Sequence, residues 1–127
     1  MEKMRAMVLS ECAKIETNPL KSTKIDKHQI ERSNEILLKI EACGVCHSQL
    51  HGIEGDWKHI GIPDTLPIVP GHEVVGEIIE IGEDVTKFKI GDRAGITPLL
   101  EACKNCQYCN EGKEYLCESS KITGETL

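Results

Sequence analysis

The chain has 127 residues, of which 39% are hydrophobic and 28% charged, and its formal net charge is −6. That length suits one domain with a single modest core, and the composition reads as soluble and globular rather than disordered. The acidic balance, with lysines interspersed, argues against a nucleic-acid surface, and no apolar run approaches the length that crosses a bilayer.

Met1 to Ser10 lacks a long apolar core and a small-residue cleavage pattern, so no secretory leader is expected and the location implied is cytoplasmic. Met4 to Leu9 reads as a first short strand. Thr17 to Ser33 is polar and irregular, with room for another strand over Thr23 to Ile30. Ile36 to Ala42 alternates, placing Ile36, Leu38, Ile40 and Ala42 on one face and Lys39 and Glu41 on the other. Gly61 to Pro70 carries three prolines and reads as an ordered loop. Val74 to Ile81 is β-branched, ends at Gly82 and is followed by a Glu83-Asp84 turn. Gly91-Asp92 is another turn, after which Arg93 to Thr97 runs to Pro98. Trp57, Phe88, Tyr108 and Tyr115 are the only aromatic residues, so the core must come from Val, Ile and Leu. Short, turn-separated strands of this kind predict a mainly β domain, a compact barrel or sandwich.

The most specific motif lies past the last of these strands. Cys103, Cys106, Cys109 and Cys117 have the spacing C-x2-C-x2-C-x7-C. Three thiols within seven residues and a fourth one loop away can surround one tetrahedral ion, and structural zinc favours such a closed thiolate shell. Disulfides compete with that reading, but seven cysteines leave one unpaired and nothing else suggests an oxidising compartment. An iron–sulfur site usually shows C-x2-C-x2-C-x3-C-P, whereas here the last gap is seven residues and Glu118 follows Cys117.

A second constellation follows the Ile36 strand. Cys46, His47, Ser48 and His51 fall within six residues, and Gly71-His72-Glu73 precedes the Val74 strand. Cys46 with His72 supplies the sulfur and imidazole of a zinc site that keeps a position open for substrate. Zinc there acts as a Lewis acid on a bound oxygen. Ser48 can pass on the proton released, and His51, one helical turn away, can receive it near neutral pH. Cys43 makes Cys43-x2-Cys46, but no βαβ pattern surrounds it, and it reads as a structural thiol.

These stretches, with Glu54-Gly55-Asp56-Trp57 and Gly91-Asp92-Arg93, make the chain resemble the zinc-dependent medium-chain alcohol dehydrogenases. The likeness is to their N-terminal catalytic domain and covers residues 34 to 122. It implies a chaperonin-10-like β-barrel over about residues 1–97, with short helices, and a four-cysteine zinc lobe over about 98–120. Cys46 and His72 would be catalytic zinc ligands, with Glu73 approaching the metal from behind. Ser48 and His51 would form the proton relay, His47 would face the cofactor pyrophosphate, and Trp57 would line the substrate pocket. The implied activity is oxidation of alcohols to aldehydes or ketones with hydride transfer to NAD or NADP.

Gln49 stands where the family often has Asp, which predicts weaker orientation of His72 unless another group takes that role. The family's third catalytic cysteine lies beyond Leu127, and no strand–G-x-G-x-x-G–helix unit is present. A nucleotide-binding portion in cis or in trans is therefore expected to complete the site, in a homo-oligomer, and the 127 residues alone are expected to be inactive. The alternative is a zinc-stabilised, non-catalytic binding module or a split-enzyme subunit that needs a partner chain.

Overall fold

The computed structural model describes residues 2–126. β1 (Lys3–Leu9) pairs antiparallel with β2 (Leu20–Asp26), in register from Lys3 opposite Asp26 to Leu9 opposite Leu20. The first strand is the one expected. The second corrects the expectation: it begins before Thr23 and ends at Asp26. Only Leu20 and Ile25 of its residues are even half-buried, so no hydrophobic alternation marks it. Backbone pairing with β1 makes this strand, and hydropathy does not report such pairing.

β3 (Ile36–Cys43), β4 (Val74–Ile81) and β5 (Arg93–Ile96) form an antiparallel sheet with β4 at its centre. The single apolar face expected for β3 is broken. Pairing with β4 shifts between Leu37 and Leu38 and again between Ile40 and Ala42. Each shift turns the following side chains to the other face. Ile36, Leu37 and Leu38 are all half-buried in consequence, whereas Ile40 is 54% exposed. On β4, Ile78 is fully buried.

Directly after β3 comes the helix α1 (His47–Glu54), which buries Gly52 and Ile53. Ile53 packs with Leu9 and Ile68, and Cys12 and Leu20 lean on that cluster. Ile68 lies in the Gly61–Pro70 loop and exchanges both backbone hydrogen bonds with Leu9, at 2.8 and 2.9 Å. The core thus clamps the proline loop and α1 against the end of β1.

The four-cysteine segment is not a tail beyond the last strand. β6 (Leu99–Glu101) and β7 (Lys121–Ile122) pair and bracket it, and it contains one short helical turn, α2 (Gln107–Asn110). Arg32 joins Glu35 at 2.7 Å and Glu101 at 2.5 Å, which ties the base of the lobe to the start of β3. Among the described residues no helix is long and apolar enough to cross a membrane.

Candidate metal centres

In the lobe, one ligand atom from each of Cys103, Cys106, Cys109 and Cys117 lies within 4.8 Å of all the others. Cys103 Sγ and Cys109 Sγ are 3.9 Å apart. Four sulfurs at the usual zinc distance of about 2.3 Å would stand ~3.8 Å from one another, so the donors fit a tetrahedral ion. Backbone N–H groups point at the sulfurs: Cys106 donates to Cys103, Cys109 to Cys106 and Cys103 to Cys117. The N–H groups of Asn105 and Cys106 hold the Cys103 thiol well below its ordinary range, while burial pushes the Cys109 thiol up. A cation would remove the conflict, since it keeps every ligand sulfur deprotonated.

The second centre is assembled by the turn into α1 and the strand start of β4. Cys46 stands at the N-cap of α1, and His72 and Glu73 lie just before β4. Their ligand atoms also fall within 4.8 Å of one another. The backbone Gly44 N–H donates to the Glu73 carbonyl at 2.9 Å, carrying the β3–β4 pairing up to the site. A Cβ at Gly44 would run into the Glu73 carboxylate, so glycine leaves that side chain its space. The Ser48 hydroxyl lies 3.1 Å from Cys46 Sγ and 3.2 Å from His72 Nε2, beside both donors.

His51 is placed differently from a simple Ser48 neighbour. Among the described residues no hydrogen bond joins it to Ser48. Its Nδ1 instead meets the Asp56 carboxylate at 2.8 Å, and its ring stacks on Trp57 with centroids 5.0 Å apart. The hydrogen bond to His51 holds the Asp56 carboxyl below its ordinary value. His47 is exposed at the start of α1, with its ring 5.0 Å from that of His51. Trp57 lines a cleft of about 440 Å³ together with Ser48, Ile60, Ile62, His72, Pro98, Ile122 and Glu125. The structure therefore gathers Ser48, His72 and Trp57 around one apolar cleft, with Cys46 behind Ser48. His51 and His47 lie along α1 beside it.

Two residues have roles that the sequence did not reveal. Asp56 belongs to the Glu54-Gly55-Asp56-Trp57 stretch, and its position five residues after His51 was the available signal. Glu125 carried no signal. It is buried, its Oε1 lies 3.6 Å from His72 Nδ1, and burial raises its carboxyl while His72 opposes the shift. Gln49 acts on the backbone instead. With its amide turned to meet both partners, its oxygen accepts the N–H groups of Gly71 at 2.9 Å and His72 at 2.8 Å.

A mainly β domain that gathers two donor clusters able to hold a metal ion has counterparts among known proteins. The alcohol dehydrogenase GroES-like domain family matches residues 32–125, and the chain belongs to it. An alcohol dehydrogenase of Geobacillus stearothermophilus is 44% identical over 124 residues, which is 98% of this chain and 34% of that protein. The crystal structure of an alcohol dehydrogenase from Aeropyrum pernix superposes with a TM-score of 0.83 at 30% identity, over 98% of this chain and 34% of the other. A Sinorhizobium meliloti dehydrogenase, described as zinc-binding and solved with NADP, gives 0.83 at 25% identity over 99% and 33% of the two chains. The chain thus spans about a third of the length of these relatives.

Proposed function

We propose that this chain is the zinc-binding, substrate-activating part of an NAD(P)-dependent alcohol dehydrogenase that oxidises small alcohols to aldehydes or ketones. One observation carries the reading: Cys46, His72 and Glu73 converge beside the Ser48 hydroxyl at an apolar cleft lined by Trp57. Cys46, His72 and Glu73 would hold the catalytic zinc, and the four lobe cysteines a structural one. The catalytic metal supplies Lewis acidity, which eases loss of the substrate's hydroxyl proton.

The chain's own groups do the rest. The apolar walls, with Trp57, Ile60 and Ile62, favour a small organic alcohol over a highly hydrated one. Ser48 stands within hydrogen-bond reach of Cys46 and His72, and its hydroxyl would relay the proton, accepting the substrate's as it gives up its own. His51 is the next acceptor along the route. Asp56 fixes its Nδ1 as the donor nitrogen, leaving Nε2 to exchange the proton. The space between Ser48 and His51 is to be bridged by a bound group or water. His47, exposed at the start of α1, would face the pyrophosphate of NAD or NADP, supplied by a nucleotide-binding portion in cis or in trans. A homo-oligomeric, cytoplasmic enzyme is part of the same proposal.

The test is zinc content per chain, by elemental analysis of protein purified without added metal. Two zinc ions, falling to one in Cys46→Ser and in His72→Ala, are expected. One ion that is retained in both variants would mean that only the lobe site is complete, leaving a zinc-stabilised module that needs its other portion to bind the second metal. No zinc in reduced, freshly purified protein would sink both.

A further inference from the structure

We infer that Glu125 is the positioning residue of the Cys46–His72 centre: its buried carboxylate accepts the Nδ1 proton of His72 and so reserves Nε2 for the metal. The inference rests on the proposed function of that centre. The His72 side chain is 6% exposed, and its Nδ1 is the buried polar side-chain atom without a hydrogen-bond partner among the described residues. Leaving such an atom unmatched is costly, so a partner is expected close by. The Glu125 carboxylate, with its side chain 8% exposed, lies 3.6 Å away, just outside hydrogen-bond range. The proposed hydrogen bond needs only a small rotation of either side chain.

The ring's orientation decides which nitrogen does what. Nε2 faces Ser48, which also touches Cys46, so this is the metal side. Nδ1 is the far side, and there only a proton acceptor is useful. Gln49 cannot fill that role because its oxygen already holds the backbone N–H groups of Gly71 and His72. It fixes the loop, and Glu125 fixes the ring.

Glu125 is itself built into place. Its N–H donates to the Ile122 carbonyl at 3.3 Å, and its carbonyl accepts from Asp64 at 3.2 Å. Thr126 closes the same turn by donating its N–H to Ile122. One residue earlier, Gly124 has φ +70° and presses on Gly71, so that a Cβ there would collide with the Gly71 backbone. The turn after β7 thus docks on the loop that carries His72. A carboxylate behind a metal-bound imidazole fixes its tautomer and raises its basicity, and losing such a partner typically weakens metal binding ~10–100-fold.

The experiment is a competition titration of zinc against a chelator on the whole chain, in wild type, Glu125→Ala and Glu125→Gln. Glu125→Ala is expected to weaken the Cys46–His72 site ~10–100-fold. Glu125→Gln, which keeps the size and loses the charge, is expected to weaken it by a smaller factor. The four-cysteine site should stay filled in all three. Nitrogen-15 spectra of His72 in a Cys46→Ser background that keeps the lobe zinc add a reading that mere packing would not move: Nδ1–H should dominate with Glu125 in place and lose ground in both Glu125 variants. Wild-type zinc affinity and an unchanged tautomer in Glu125→Gln would overturn the proposal, even if Glu125→Ala failed to fold. A wild-type chain with no zinc at Cys46 and His72 would overturn the functional reading, and this inference with it.

Discussion

Removing zinc from the lobe should melt the lobe and leave the sheets standing. Ordering the backbone of the fifteen residues from Cys103 to Cys117 costs ~1–2 kcal/mol each, roughly 15–30 kcal/mol in all. Apolar burial offsets little of this. Tyr108, Leu116 and Tyr115 are 40%, 47% and 70% exposed, and Cys117 is the one buried residue of the segment. Roughly seven backbone hydrogen bonds bridge it, at ~1 kcal/mol each. Zinc held by four thiolates contributes ~10–16 kcal/mol, which brings the two sides level within a few kcal/mol. Without the ion the deficit is roughly 8–23 kcal/mol, more than the sparse local packing can supply. Hydrogen exchange reads this directly. The amides of Gly112, Lys113, Leu116 and Cys117 donate to the carbonyls of Cys109, Tyr108, Lys113 and Glu114 in the folded lobe. After chelation they should exchange more than about a hundredfold faster, a local loss of at least ~2.7 kcal/mol. The Ile78 amide, bonded to Asp92 at 2.8 Å, should keep its protection. Unchanged protection at the four lobe amides, in protein shown to be metal-free, would refute the reasoning.

Two further outcomes test the rest of the fold. Ile78→Ala should cost ~2–5 kcal/mol because its side chain is fully enclosed, whereas Ile40→Ala, more than half exposed, should stay within about 0.5 kcal/mol; equal losses in urea unfolding would mean that the β3 bulges are misplaced. The N–H of Glu31, then the side chain and N–H of Arg32, hold the Glu35 carboxyl at about 2, against an ordinary 4.5. A carboxyl depressed in the folded state stabilises it above the unfolded value and stops doing so as pH falls toward the folded one. The stability gap between wild type and Glu35→Gln should therefore be constant above about pH 5 and shrink steadily toward about pH 2. Urea midpoints at matched pH measure it, and a gap that widens on acidification would contradict the assigned contacts.

How far the fold was legible follows from what each signal reports. Val74 to Ile81 was readable to the residue because β4 is the central strand of its sheet, and its β-branched run is bounded by turn residues. β2 was not, because a strand that buries only parts of Leu20 and Ile25 leaves no period-two trace. β3 shows the opposite failure. Its alternation was present, but two register shifts cancel it, and shifts of pairing are set by the partner strand rather than by the strand's own pattern.

The site divides along a related line. Candidate ligands announce themselves by type and spacing, so Cys46, His72 and the lobe cysteines stand out as two donor clusters from the chain alone. The residues that aim those ligands do not, because any carboxylate or amide brought near by the fold can serve. The expectation was that Gln49 leaves His72 weakly oriented unless another group takes the role, and no spacing in the chain could name that group. Glu125 lies 53 positions from His72 in the chain and reaches it only because the turn after β7 packs on the His72 loop, with glycine at Gly71 and Gly124 allowing the two backbones to touch. Moving the supporting carboxylate off α1 and onto that turn has a physical consequence. On the proposed role of Glu125, orientation of the His72 imidazole depends on the docking of a distant segment, and whatever loosens the β6–β7 base of the lobe should also loosen the Cys46–His72 cluster.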